Sequence, residues 1–213
     1  MATVGLLVHH AHSDAARLAD EAAAWLESEG HEVRWLDEAE PEVGKELDLA
    51  MSLGGDGTML RTVDLVSGAE VPIIGVNLGH LGYLAEVEPS NVHDALRRFF
   101  AGDYAIDCRM RMSVDVQAAA VHGERAALNE AVLGKTPTGQ LARVLVTVDG
   151  EPFTTYVADG VIVATPTGST AYAWSAGGPL VAPTHEALLL TPVAAHMLFD
   201  RALVLPPSAH IRL

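Results

Sequence analysis

Apolar residues follow two different rhythms along this chain, and the rhythm changes near Ile106. In the first half, short apolar runs alternate with segments of helical spacing. Residues 4–8 form the first run and read as a buried strand. Ser13 or Asp14 opens a helix to about Glu29, with Ala15, Leu18, Ala22, Trp25 and Leu26 on one face and Gly30 closing it. Residues 31–36 alternate like a second strand, and residues 37–46, acidic and interrupted by Pro41, read as a solvated loop. Residues 47–53 are a third strand. A helix follows over 59–66 and stops near Gly68; residues 72–76 give a fourth strand, and Ser90 or Asn91 caps a helix to about Ala101. Alternation of this kind predicts right-handed crossovers and a parallel sheet.

From Asp103 the period drops to two. Met110, Met112, Val114 and Val116 alternate with Arg109, Arg111, Ser113, Asp115 and Gln117, a strand with one wet face. Residues 125–133 and 143–148 look similar, and residues 161–164 give another strand. Asp149-Gly150 is a hairpin turn into residues 153–157. The expected organisation is therefore an α/β domain over residues 1–105 and a β-rich, antiparallel domain over 106–213.

Composition narrows the function. The 213 residues are 49% apolar, enough for a real core, and no run approaches the roughly 20 apolar residues of a membrane span. The first eight residues lack a basic region followed by a long apolar stretch, so no signal peptide is expected. A single cysteine, Cys108, excludes an internal disulfide and fits a reducing, cytoplasmic setting. The net charge of −15 argues against nucleic acid and anionic membranes as partners. A small phosphorylated ligand stays compatible with it, helped by a divalent cation.

Candidate chemistry gathers at glycine-rich turns. Leu53-Gly54-Gly55-Asp56-Gly57-Thr58 ends a strand and starts a helix, where backbone N–H groups suit phosphate and a pinned carboxylate suits a base. The same residues also suit a tight turn with Asp56 as a local cap. Asn77-Leu78-Gly79-His80-Leu81-Gly82-Tyr83-Leu84 is a second such turn at a strand's carboxyl end. In parallel sheets that edge binds ligands. Asn129-Glu130 falls inside an expected strand; a bulge would turn both toward one ligand, and without one they face apart. Thr165-Pro166-Thr167-Gly168-Ser169-Thr170-Ala171-Tyr172 offers small residues, hydroxyls and a ring, either for a ligand or for ordinary side-chain-to-backbone bonds. His9, His10 and His12 lack supporting ligands and read as solvated or phosphate-facing rather than as a metal site.

Together these segments resemble the ATP-NAD kinase family, which makes NADP from NAD. The resemblance rests on Gly54-Gly55-Asp56-Gly57-Thr58, Gly75-Val76-Asn77-Leu78-Gly79 with Leu81-Gly82-Tyr83-Leu84, Asn129-Glu130, and the long run from Asp159-Gly160 through Thr165–Tyr172 to Ser175-Ala176-Gly177-Gly178-Pro179. The glycine-Asp loop alone is shared with diacylglycerol kinases and phosphofructokinases; the threonine-glycine-serine run is far more specific. The resemblance implies an N-terminal Rossmann-like domain, a C-terminal β-sandwich domain and NAD held between them. It also implies a homodimer or homotetramer in which the partner subunit completes the site. By motif position, Asp56 is the base with Gly57 beside it, and Asn129 and Glu130 hold NAD ribose hydroxyls. Asp159 contacts NAD from one subunit of a pair, and Thr170, Ala171, Tyr172 and Ser175 line the dinucleotide pocket. Arg61 and Ala194 fall at positions the family also uses for NAD. ATP with Mg²⁺ or another divalent cation is the implied donor, with polyphosphate as the other donor to test. Two departures stand out. Val157 occupies a position where some members carry a basic residue, and members usually continue past the position of Leu213, so a fragment or a shortened member is expected. That second departure keeps a non-catalytic NAD-binding or regulatory module open as a rival, and a lipid or sugar kinase is the weaker third reading.

Overall fold

Four strands of mostly apolar residues build the first sheet, in a computed structural model that describes residues 1–9, 13–37, 43–79, 82–118, 121–136 and 140–213. The chain divides into two compact units, Met1–Ile106 and Asp107–Leu213. The first unit contains β1 (Thr3–Val8), α1 (Ser13–Ser28), β2 (Glu32–Trp35), β3 (Leu49–Gly54), α2 (Asp56–Leu65), β4 (Ile73–Asn77) and α3 (Val92–Phe100). Its strands lie in the order β2-β1-β3-β4, and every pairing is parallel. β3 is buried along its whole length, as an inner strand covered on both faces must be. On one face Leu49, Met51 and Leu53 pack with Ala15, Ala19, Ala22 and Leu26 of α1 and with Val92 and Leu96 of α3. On the other, Ala50 packs with Leu7, Leu36, Val43, Leu47, Leu65 and Val66. The result is helix, sheet, helix, with β3 and β4 delivering both glycine turns to the carboxyl edge.

Three local expectations shift. The helix after the glycine loop starts at Asp56 rather than Met59, because extended Gly55 (φ −100°, ψ −169°) serves as N-cap and its carbonyl accepts the N–H of Thr58 and Met59 at 2.9 and 3.1 Å. Within the acidic segment, Val43–Glu46 is a 3-10 turn with Val43 and Gly44 buried. Residues 38–42, including Pro41, lie outside the described residues. Before α3, Pro89–Asn91 forms a 3-10 turn and Asn91 makes no side-chain cap.

The second unit contains β5 (Met112–Gln117), β6 (His122–Ala127), β7 (Glu130–Gly134), β8 (Ala142–Val148), β9 (Glu151–Ala158), β10 (Gly160–Ala164), α4 (Tyr172–Ser175), β11 (Leu188–Val193), β12 (Leu203–Leu205) and β13 (Ile211–Arg212). Its sheets run β12-β11-β10-β7, β13-β8-β9 and β5-β6, all antiparallel. Val144, Val146, Tyr156 and Ala158 from one sheet pack against Val161, Val163, Leu188 and Leu190 from another, a sandwich-like core. Asp149 and Gly150 turn β8 into β9 with φ of 53° and 86°, the two positive values a two-residue hairpin of this hand requires.

The expected strand over 125–133 is two strands in two sheets. The β5–β6 ladder ends at Met112–Ala127, and the β7–β10 ladder starts at Glu130–Ala164. Between them, the carbonyls of Leu128 and Asn129 turn away from any ladder and accept the hydroxyl and the N–H of Thr165. Asn129 and Glu130 are therefore not regular strand neighbours, and opposite-face alternation does not apply to them.

Candidate functional site

In the first unit the site is built where β3 stops. Gly54 must lack a side chain, since a Cβ there would sit 2.2 Å from Thr58 Oγ1. Asp56, half-buried in the first turn of α2, makes no N-terminal cap. Its carboxylate reaches across to the second glycine turn instead. Oδ2 accepts the N–H of Tyr83 at 3.1 Å and Oδ1 accepts the N–H of Leu84 at 3.2 Å. Each oxygen keeps a second lone pair. The second turn is fixed from below: Leu78 N–H bonds the Gly54 carbonyl at 3.1 Å, and Asn77 Oδ1 accepts the N–H of Gly79 at 3.2 Å. Gly57 is exposed beside Asp56, and Arg61 is exposed one turn further along α2. His9 sits next to Gly54, its N–H bonded to Leu53; His10, His12, His80 and Leu81 lie outside the described residues. Among the described residues no group of three or more His, Cys, Asp or Glu side chains could hold a metal ion.

In the second unit the hydroxyl-rich segment closes on itself. Thr167–Thr170 is a 3-10 turn leading into α4. Thr165 Oγ1 donates to the Leu128 carbonyl and accepts the N–H of Gly168 at 3.2 Å. Ser169 Oγ donates to the Val181 carbonyl at 3.2 Å and accepts the Val181 N–H at 3.0 Å, and Thr170 Oγ1 donates to the Thr167 carbonyl at 3.1 Å. These hydroxyls serve backbone groups of the loop and of the neighbouring chain, because a buried hydroxyl is costly unless it is bonded. Thr167 Oγ1 is buried with no partner, as are Asn129 Oδ1 and Glu130 Oε2. Burial pushes the Glu130 carboxyl above its usual range, and the backbone N–H of Tyr172 opposes that shift. The segment thus gathers Asn129, Glu130, Thr170, Ala171 and Tyr172, while Tyr172 and Ser175 are exposed on α4.

A second cluster forms where β7, β10 and β11 meet. The N–H of Asp159 bonds the Val193 carbonyl at 2.9 Å, and Ala194 follows with φ 47°, an unusual backbone for alanine. This brings Asp159 and Ala194 together.

Family profiles match both units. The ATP-NAD kinase N-terminal domain matches residues 8–104 and the ATP-NAD kinase C-terminal domain residues 128–213. The solved NAD kinase from Archaeoglobus fulgidus, in complex with ATP, is 30% identical and superposes with a TM-score of 0.77, over 99% of this chain and 79% of its own.

The chain belongs to the ATP-NAD kinase family.

A yeast NADH kinase complexed with NADH superposes with a TM-score of 0.85 at 25% identity, over 99% of this chain and 71% of its own. Among curated relatives, the NAD kinase of Leifsonia xyli is 46% identical over 167 residues, 78% of this chain and 55% of the relative. That of Thermobifida fusca is 46% identical over 171 residues, 78% of this chain and 52% of the relative. The chain thus spans about half the length of the curated relatives it matches.

Within this chain of the ATP-NAD kinase family the structure adds a residue that no motif singled out. Lys135 Nζ lies 2.7 Å from Asp159 Oδ1, and its N–H bonds the Asp159 carbonyl at 2.8 Å. Nothing in its sequence neighbourhood marks it; only the pairing of Gly134 with Gly160 brings it there.

Proposed function

We propose that this chain is an NAD kinase: it transfers the γ-phosphoryl group of ATP to the 2′-hydroxyl of the adenosine ribose of NAD, giving NADP and ADP. The observation that supports this reading most is Asp56, a carboxylate held by two backbone N–H groups beside a helix N-terminus at the carboxyl edge of a parallel sheet. A ribose hydroxyl is a poor nucleophile, and a positioned carboxylate that takes its proton is worth about 10²–10⁴-fold. In the proposed step the 2′-oxygen forms a bond to the γ-phosphorus, the bond from that phosphorus to the ADP oxygen breaks, and the hydroxyl proton goes to Asp56. ATP enters as its complex with Mg²⁺ or another divalent cation.

The remaining residues bind and orient. The N-terminus of α2, with Gly57 at its first turn, suits phosphate through its free N–H groups and positive dipole end. Arg61 adds a cation on the same helix. Asn129 and Glu130, each with a buried oxygen that has no partner, suit ribose hydroxyls as donors. Thr170, Ala171, Tyr172 and Ser175 take the dinucleotide, with the exposed Tyr172 ring free to lie on a base. Asp159 contacts NAD from one subunit of a pair and Ala194 adds a further NAD contact, with assembly into a homodimer or homotetramer part of the same reading.

The test is ATP-dependent formation of NADP by the purified chain, read through an NADP-specific dehydrogenase, with polyphosphate and NADH in parallel reactions. Product from NAD and ATP is expected. NAD binding without product would favour a binding module, and lipid or sugar phosphorylation without NADP would favour another kinase.

A further inference from the structure

The side of the second glycine turn that meets Asp56 is shaped by an absent side chain. An ideal Cβ on Gly82 would lie 2.4 Å from Asp56 Oδ1, 2.9 Å from its Cγ and 3.2 Å from Oδ2. Those are its three nearest neighbours, so the space denied to a side chain is the space the carboxylate fills. Gly82 is not among the glycines of positive φ, so its backbone conformation is open to alanine. Conformational freedom therefore does not explain glycine here; room does. Gly55 and Gly57 differ, with nothing within 4 Å of their Cβ positions.

We propose that Gly82 is a positioning residue for Asp56, leaving the space in which the carboxylate lies against the turn and receives the N–H groups of Tyr83 and Leu84. The inference rests on Asp56 being the base. If a side chain were added, the aspartate would yield rather than the turn. The chain beyond Leu84 is anchored by buried Ala85, which a Cβ on Gly75 would meet, by the Asn77 N–H to Val87 carbonyl bond of 2.9 Å, and by the Val87 N–H to Gly75 carbonyl bond of 3.0 Å. The Asp56 side chain has only two torsions to change. The carboxylate would then leave both N–H groups and its aim, with the fold intact.

The experiment compares the full chain with Gly82→Ala, Asp56→Asn and the double variant. Gly82→Ala is expected to lower kcat about 100-fold, the size expected for a displacement of about 1 Å, while the KM for NAD changes less than about threefold. Its melting temperature stays within about 3 °C of the parent. In the Asp56→Asn background the same substitution has no further effect, because it acts through the carboxylate. The amide resonances of Tyr83 and Leu84 move in Gly82→Ala. Full turnover with unmoved amides, an undiminished loss in the Asp56→Asn background, or a fall in melting temperature above about 10 °C would each overturn the positioning role. Should Asp56→Asn alone retain full turnover, the assignment of the base fails instead, and the two amide resonances still decide whether Gly82 holds the carboxylate in place.

Discussion

Glycine does opposite work in two of the loops that carry this molecule's recognisable motifs. In the second unit a Cβ on Gly168 would meet the backbone of Asn129, with the carbonyl oxygen 2.1 Å away and Cα 2.8 Å away. There glycine lets two stretches of main chain touch, and around it the hydroxyls of Thr165, Ser169 and Thr170 are taken up by backbone groups. In the first unit the three atoms nearest a Cβ on Gly82 all belong to one side chain, and that carboxylate is held by two backbone N–H groups. The hydroxyl-rich loop is a scaffold that holds Asn129, Glu130 and Tyr172 around it, with the backbone N–H of Tyr172 on the Glu130 carboxyl. The glycine-Asp loop presents its central residue. Motif density and chemical exposure are thus different quantities, and the loop that is easiest to recognise carries more of the folding.

The largest expected effect separates them directly. Asp56→Asn should lower turnover about 10²–10⁴-fold, with NAD affinity by calorimetry unchanged. Gly168→Ala should do the reverse and act on the fold. Overpacking of this kind costs about 1–3 kcal/mol, which for a chain of this size lowers the melting temperature by several degrees, measurable by calorimetric scanning. Unchanged turnover on changing Asp56, or no loss of stability on changing Gly168, would erase the distinction.

Two smaller effects sharpen it within the second unit. Burial raises the Glu130 pKa above 4.5, so the folded form binds a proton more readily than the unfolded chain. The cost of the buried charge is present above the raised pKa and fades as pH falls toward 4.5. Glu130→Gln should therefore raise the melting temperature at pH 8, and the gain should vanish in acid; a constant gain across pH would refute burial as its cause. Lys135→Met should weaken NAD binding up to about fivefold, since pairs this exposed contribute about 1 kcal/mol or less. Isothermal titration against the parent reads it, and the effect should shrink at high salt.

What the sequence made legible was local. Asp149-Gly150 needs only its own backbone to turn a hairpin, and the apolar run into Gly54 needs only its neighbours to be a buried strand. The break at 128–129 was hidden because two carbonyls there bond Thr165, a contact across 36 residues or more that no period reports. The start of α2 at Asp56 was hidden because Gly55, with no side chain to signal a cap, takes the cap's backbone geometry. The fate of the Thr165, Ser169 and Thr170 hydroxyls could not be read either, since a hydroxyl serves a ligand or a backbone equally well until its surroundings are known. Lys135 carried no signal at all.

The most direct measurement follows the phosphoryl group itself. The chain is incubated with NAD and ATP labelled at the γ-phosphate, and the label is located in the products by chromatography and phosphorus NMR. The account predicts label on the 2′-oxygen of the adenosine ribose in NADP, and almost none with the Asp56→Asn variant. Label recovered only as inorganic phosphate or unreacted ATP, or transferred equally well by that variant, would contradict it.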